Sequence, residues 1–590
     1  MIEARFDDLT QASESFRMVG PGGVVEARRP DEVAGVIAAA EAAAARGSWV
    51  AGFVAYEAAP GLDPALEVRR RTDGDPFASL PLAWFAMFEG RERTVLPEAQ
   101  DDPNDSPHDR WRPSVDRSTY DAAIARIREH IAAGDTYQVN HTLRMRSRIE
   151  GDERGLYRDL CYAQRGAYSA YLNLGRYRVL SASPELFFRI DGDRITTRPM
   201  KGTAPRGRWP AEDDAVAERL RGSVKDRAEN AMIVDMLRND MGRVARTGSV
   251  TWSDVFDLER YETVWQLTST VSAELDATAG LVDVFRALFP SGSVTGAPKV
   301  RTMAIVAELE DSPRGVYCGA VGLLAPPGSG IPRARFNVPI RTVMLDAETR
   351  VAEYGVGGGI TWGSSAEGEY DELLAKARVL TARRPRFELF ETLYHDPHEG
   401  FRHLDRHLAR VRASSAYFGF AFDAEGVTTA LHDAASRFPD RPARVRISLD
   451  RQGRVDAGAT ALAAGSEPVR IAIDVDHPVD PTDPILFHKT TLRGVYERAL
   501  TRHPDADDVL LVNDRGEITE STIANVAVSI GGRWVTPPLD AGLLPGVGRE
   551  VALEDGWLEE GTVNVEDLDR ADAIELVSDV RGRRRVVLID

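Results

Sequence analysis

The sequence predicts an α+β protein of more than one domain. Three observations carry this: an alanine-rich helical stretch followed directly by an aromatic and β-branched run, an alternation of short strand-like and helix-like segments up to residue 382, and a fresh strand-like segment, FELFETLY, starting right after the basic, proline-containing ARRPR. Residues 30–46, PDEVAGVIAAAEAAAAR, read as a helix with an acidic first turn, and the following GSWVAGFVAYEAA reads as a strand. The Pro/Asp-rich DDPNDSPHDRWRPS, from Asp101 to Ser114, has the composition of a surface loop. In YDAAIARIREHIAAGD, Tyr120, Ile124, Ile127 and Ile131 recur on one helical face and Gly134 stops the helix. ARRPR, from Ala382 to Arg386, is the expected linker, dividing the chain into 1–384 and 385–590. No repeat at solenoid periods is visible.

A length of 590 residues calls for two to four compact units at roughly 100–200 residues each. With 43% hydrophobic and 28% charged residues the composition is that of a folded globular protein. Acids outnumber bases 92 to 73, a net charge of -19, which disfavours nucleic acid and anionic lipid as partners, since both are bound by neutralising phosphates. An anionic substrate must then find a local positive pocket. The two cysteines, Cys161 and Cys318, are far apart and form neither a disulfide framework nor a zinc motif. The start, MIEARFDDLTQ, lacks a signal region, and no apolar run approaches the roughly 20 residues of a membrane span, so a cytoplasmic location is expected.

Two acidic patterns carry the most chemistry. KDRAENAMIVDMLRND holds Asp226 and Glu229, and SSAEGEYDELLAKA holds Glu369 and Glu372, each pair three residues apart. On helices that spacing puts both carboxylates on one face. Magnesium prefers oxygen ligands and keeps several waters, so two such pairs meeting across a pocket would suit it. A single D-x-x-E pair is more often a solvated helix face, and the weight falls on the surrounding blocks. Between the pairs run SGSVTGAPKVR, RGVYCGAVG, FNVPIRT and YGVGGGI, and before them GDTYQVN, SASPELFF and TTRPMKGT.

In this order the blocks resemble the chorismate-utilising enzymes, specifically aminodeoxychorismate synthase component I, over residues 1–382. The resemblance implies two stacked antiparallel sheets flanked by helices, with Glu229 and Glu372 as direct magnesium ligands and Asp226 and Glu369 acting through water. It implies that the metal clamps the ring carboxylate of chorismate and that Thr203 contacts substrate. Arg341, with its fixed fork of donors, suits the enolpyruvyl carboxylate, and Tyr317 adds a hydrogen bond. Gly357 and Gly359 let backbone amides approach an anionic group closely. Lys201 in RPMKGT resembles the nucleophile of aminodeoxychorismate synthases, a position where anthranilate-forming relatives have alanine. Its amine adds at one end of the diene and expels the ring hydroxyl, and ammonia then displaces it in reverse. Glu185 in SPELF is the implied general acid for that hydroxyl. Gln138 stands where isochorismate- and salicylate-forming relatives carry a water-activating lysine, which argues against hydroxyl addition. Gln266 stands where the family usually has histidine, and it can hydrogen-bond but not relay a proton. GRWPAEDDAVAERLRGS reads as a mobile cover.

From FELFETLY onward, HLDRHLARVRASSAYFGF, HKTTLRGVYERAL, GEITESTIANVAV and TPPLDAGLLPGVGRE resemble class IV pyridoxal-phosphate enzymes, especially aminodeoxychorismate lyases, over residues 386–590. This implies a D-amino-acid-aminotransferase-like fold of two lobes. Lys489 is the implied lysine that joins pyridoxal 5'-phosphate and later moves protons. Arg410 is the implied partner of the cofactor phosphate, and Glu520 faces the pyridine nitrogen. The amides of Val547 and Gly548 fall at an expected helix start, an anion site by geometry and dipole. Ser578 and Asp579 depart from the Asn-Ser pair common there, and the domain lacks an initial strand. Together the two resemblances imply p-aminobenzoate formation in two consecutive steps. Ammonia would come from a glutamine amidotransferase subunit, since no Cys/His glutaminase constellation is evident, and class IV relatives suggest a homodimer. The alternative is an anthranilate synthase component I joined to a D-amino-acid or branched-chain-type aminotransferase, against which Lys201 speaks.

Overall fold

A computed structural model describes residues 2–10, 15–97, 111–381, 386–462 and 468–589. The expected boundary at Arg384, and residues 101–110 of the expected loop, lie outside the described residues. The chain forms two compact units, residues 1–205 with 217–386, and residues 206–216 with 387–590. Among the described residues no helix is long and apolar enough to cross a membrane.

In the first unit, eighteen strands connect through ladders into one hydrogen-bonded network. The helix expected over residues 30–46 is Val33–Ala45, preceded by a 3-10 turn, Pro30–Glu32, in which the Glu32 carboxylate accepts from the amides of Arg28 and Arg29. The strand expected over 47–59 is shorter, Trp49–Val54, and Tyr56–Gly61 winds into a 3-10 helix instead. There Glu57 turns inward to accept from the amides of Arg314 (2.7 Å) and Gly315 (3.0 Å) and to pair with Arg71. That tertiary demand outweighs strand propensity. Arg112–Pro113, read as loop, forms a short antiparallel bridge to the strand Gln138–Arg148. The helix Arg117–Ala132 starts at Asp116, which accepts from the Thr119 amide, buries Tyr120, Ile124 and Ile127, and ends before Gly134 at φ 79°.

The core positions the site. Phe187, Phe188, Phe285, Phe289 and Phe336 pack with ring centroids 5.0–6.2 Å apart. Each such burial contributes roughly 1.5–3 kcal/mol, and the cluster anchors the strand Leu186–Asp191, which begins immediately after Glu185. Two helices then present the acidic pairs. Val224–Gly242, capped by Ser223, buries Asn230, Ile233, Val234, Leu237 and Met241. Ala366–Ala377, capped by Ser365, packs on the strand Val351–Ile360 through Leu373 and Ala377.

The second unit holds a four-stranded antiparallel sheet and an eight-stranded mixed sheet. The expected strand FELFETLY is Leu389–Asp396. It pairs with Ala443–Leu449 and lies against the helix Leu404–Phe418, which ends at Gly419 with φ 69°. Residues 207–216, the first part of the stretch expected as a mobile cover, belong to this unit together with Arg206. The Trp209 ring packs at a tilt against Phe487, centroids 5.0 Å apart, and the Tyr417 hydroxyl donates to the Gly207 carbonyl at 2.7 Å.

Candidate active sites

A cavity of about 370 Å³ in the first unit is lined by Glu185, Lys201, Thr203, Asp226, Glu229, Gln266, Tyr317, Arg341, Gly357, Gly359, Glu369 and Glu372. Lys201 enters it from the strand Met200–Pro205, whose register against Val264–Glu274 shifts between Met200 and Thr203. Gly202 makes the bulge possible: its φ is +90°, and a Cβ there would sit 2.9 Å from Asp226 Cβ. Burial lowers the Lys201 pKa, with the Glu229 carboxylate pulling the other way. Burial pushes the Glu185 carboxyl up to about 7, against a hydrogen bond from the Ser293 hydroxyl and the charge of Lys201. An acid and an amine are thus each brought toward neutrality in one cavity.

The glycine strand serves a purpose finer than expected. A Cβ at Gly357 would lie 2.1 Å from the His141 carbonyl oxygen, and one at Gly359 2.0 Å from Gln138 Nε2 and 3.0 Å from Lys201 Nζ. These two positions accommodate the neighbouring strand and the lysine. Gly358, not singled out from the sequence, faces the acids: its Cβ would fall 3.1 Å from Glu369 Oε2 and 3.9 Å from Glu372 Oε1. Three adjacent glycines in YGVGGGI were the available signal. Lys376 was also missed, although ELLAK places it four residues after Glu372. Its ammonium pairs with Glu372 at 2.6 Å and donates to the Gly357 carbonyl at 3.0 Å.

Arg341, at φ +53°, donates to the Lys376 carbonyl. The Tyr317 ring lies where a Cβ on Gly355 would clash at 2.2 Å. The Thr203 hydroxyl donates to Gln266 Oε1 at 3.0 Å, which leaves the Gln266 amide nitrogen as the donor for a ligand. Gln138 is buried, with no partner on Oε1. Burial raises the pKa values of Glu229 and Glu369, and neighbouring carboxylates add to it: Asp226 and Glu369 for Glu229, and Glu372 for Glu369. As the side chains stand, no three metal-ligating groups among the described residues are close enough to hold an ion. The crowding of acids nevertheless fits a divalent cation, which would relieve their repulsion.

The second unit has a cavity of about 260 Å³ lined by Lys489, Arg410, Glu520, Val547, Gly548, Ser578 and Asp579. Burial lowers the Lys489 amine to about 8, helped by the charge of Arg410. Arg410 spends Nε and Nη2 on Glu391 (2.7 and 2.8 Å) and Nη1 on the Pro545 carbonyl, leaving two of its five N–H donors for an anion. Val547 and Gly548 open the helix Val547–Glu554 after Gly546, so their amides have no partner within the helix. Burial raises the Glu520 carboxyl to about 7, although the Tyr496 hydroxyl donates to it at 2.8 Å. A pyridinium nitrogen would supply the positive charge that favours its ionised form. The donor set therefore fits pyridoxal phosphate: an amine, an anion cradle and a carboxylate. Asp579 is engaged elsewhere, by His403 Nδ1 at 2.6 Å and His407 Nε2 at 3.0 Å.

With two such cavities, the fold and sites define a two-module enzyme. Residues 10–382 match the family described as chorismate binding enzyme, and residues 388–589 match amino-transferase class IV. The chain belongs to the chorismate binding enzyme family. Aminodeoxychorismate synthase component 1 of Escherichia coli is 42% identical over 271 residues, 46% of this chain and 58% of that protein. Anthranilate synthase component 1 of Aquifex aeolicus is 39% identical over 271 residues, 46% of this chain and 53% of that protein. The chain thus spans a little over half the length of these relatives. Anthranilate synthase component I of Streptococcus pneumoniae superposes with a TM-score of 0.53 at 25% identity, covering 62% of this chain and 92% of that one. The class IV match implies pyridoxal phosphate in the second module.

Proposed function

We propose that the chain makes p-aminobenzoate in two steps: chorismate plus ammonia gives 4-amino-4-deoxychorismate and water, and elimination of pyruvate then gives the aromatic product. The observation that carries this is Lys201, an amine whose neutral, nucleophilic form burial favours, in one cavity with Glu185 and both acidic pairs. Relatives of both aminating kinds match over the same extent, so overall identity does not choose between ring positions. Lysine at position 201 does. Its Nζ attacks one end of the ring diene, the double bonds shift, and the C–O bond breaks as Glu185 protonates the departing hydroxyl. Ammonia attacks the carbon vacated by oxygen, the double bonds return, and the lysine leaves.

Magnesium belongs to this proposal, held by Glu229 and Glu372 directly and by Asp226 and Glu369 through water. It would supply positive charge for the ring carboxylate, and Lys376 would then give up Glu372. Arg341 and Tyr317 are assigned to the enolpyruvyl carboxylate, with Thr203 and the Gly357–Gly359 backbone completing the pocket. A glutamine amidotransferase subunit is the proposed ammonia source, as the component 1 names of the relatives suggest.

In the second module Lys489 is assigned to hold the cofactor and carry protons, Arg410 with Val547 and Gly548 to bind its phosphate, and Glu520 to keep its ring nitrogen protonated. When bound, the cofactor supplies an electron sink that labilises the bonds at the amine-bearing carbon. Aromatisation makes loss of enolpyruvate strongly downhill, which favours elimination over transamination. The test is product identification: purified chain with chorismate, magnesium, pyridoxal phosphate and ammonium should yield p-aminobenzoate. Anthranilate as the product would overturn the proposal.

A further inference from the structure

The Lys489 cavity contains cations beyond those that the cofactor phosphate uses. Arg444 and Arg446 alternate along their strand with buried Val445 and Ile447, so they project from the face turned away from the apolar core. Their cross-strand partners are Tyr394 and Thr392, which share that face with Phe390. The Arg446 guanidinium stands 4.3 Å from the Phe390 ring centroid, and Lys489 Nζ stands 4.8 Å from the same ring. Arg493, over the Tyr496 ring at 4.6 Å, donates to the Thr522 carbonyl and lines the same cavity.

Among the described residues none of these three arginines has a carboxylate within ion-pair distance, and Glu388, the acid that acts on Arg446, makes no ion pair with it. In a chain of net charge -19 acids are abundant, so three unpaired guanidinium groups in one cavity are a selective arrangement. Their mutual repulsion shows in Arg446, whose pKa is lowered first by burial and then by Arg444 and Arg493. An arginine on a strand face is ordinarily a solvated charge, but solvation gives no reason for three to converge beside a buried amine. A ligand with more than one negative charge does.

We infer that Arg444, Arg446 and Arg493 form a carboxylate-recognition site beside Lys489, and that it selects a cyclic amine carrying two carboxylates over an amino acid carrying one. The inference rests on the function proposed above, whose intermediate is such a dicarboxylate, and it names the residues by which the second module would tell that intermediate from an ordinary transaminase substrate. Guanidinium groups suit this because each can meet a carboxylate through two parallel hydrogen bonds.

Isophthalate and benzoate, which differ by one carboxylate, test it. Each is titrated into the full chain loaded with pyridoxal phosphate while the visible band of the cofactor is followed, a signal that reports on the second cavity alone. Wild type should bind isophthalate at least ~10-fold more tightly than benzoate, the worth of one charge-assisted pair. The Arg444→Gln, Arg446→Gln double variant should lose that preference while keeping the band. Equal binding of the two ligands by wild type, or an undiminished preference in the double variant, overturns the site. Should the double variant lose its cofactor, the single variants decide: each should weaken isophthalate and leave benzoate unchanged, and no weakening in either overturns the site. Assaying p-aminobenzoate from 4-amino-4-deoxychorismate supplied directly to the same wild-type preparation separates the two claims, since a retained isophthalate preference without that product supports the site and removes the lyase assignment.

Discussion

His407 lies between two buried carboxylates, its Nδ1 2.9 Å from Glu391 and its Nε2 3.0 Å from Asp579. Both nitrogens can donate only in the imidazolium form. Burial alone would lower its pKa, but the bonds to Asp579 and Glu391 outweigh that and hold it above the ordinary 6.5. A raised folded-state value gives stability that is fully present below the unfolded value and is lost as pH rises through the folded one. The thermal midpoint of the second unit should therefore fall on raising the pH above about 6.5, and His407→Gln should flatten that dependence. Asp579→Asn should destabilise the unit by about 3–5 kcal/mol, the cost of breaking a buried pair from one side, read by denaturant unfolding. A variant as stable as wild type would show that Asp579 does not hold the histidine.

Gly358 and Gly359 should fail differently when a methyl group is added. Gly358→Ala crowds the Glu369 carboxylate at 3.1 Å, the end of a flexible side chain, so it should raise the magnesium concentration for half-maximal synthase activity by roughly 10-fold, following the weight of groups that orient ligands. Gly359→Ala drives into Gln138 and Lys201 at once and should abolish amination at any magnesium concentration. Identical responses to magnesium would remove the assignment of Gly358 to the acidic side.

Much of this was legible in the sequence, because periodicity and fixed spacing report on single elements. Tyr120, Ile124 and Ile127 declared a helix face, and the i, i+3 spacing of Asp226 with Glu229 and of Glu369 with Glu372 declared two more. What stayed hidden depends on elements far apart in the chain. Nothing local says that Glu57 must turn inward toward Arg314 and end a strand early, or that Trp209 packs on Phe487 within the second unit. Arg444 and Arg446 read as the solvated side of an alternating strand until the Lys489 cavity is seen against them. Lys376 was visible as an i, i+4 partner of Glu372, yet only the fold turns it toward Gly357.

Glu185 predicts a basic limb in the pH profile of the first reaction. A general acid must be protonated, and with a carboxyl raised to about 7 the synthase rate should decline as pH rises through that value. The Ser293 hydroxyl favours the ionised carboxylate, so Ser293→Ala should move the limb to higher pH. Glu185→Gln should lower kcat by roughly 10²–10⁴-fold. A limb unmoved in Ser293→Ala would assign it to another group.

Lys201→Ala separates the two reactions. With chorismate and ammonium the variant should make p-aminobenzoate at least about a thousandfold more slowly, since removing a nucleophile forfeits the step it opens. Lys201→Arg should not rescue it, because a guanidinium stays protonated and cannot attack. Given 4-amino-4-deoxychorismate directly, both variants should form p-aminobenzoate at the wild-type rate, as Lys489, Arg410 and Glu520 lie in the other cavity. Amination that survives in Lys201→Ala would mean that ammonia reaches the ring without a lysine adduct. The lowered basicity of Lys201 fits the same experiment: burial lowers its pKa, so the neutral amine that attacks the ring is available below the ordinary lysine range.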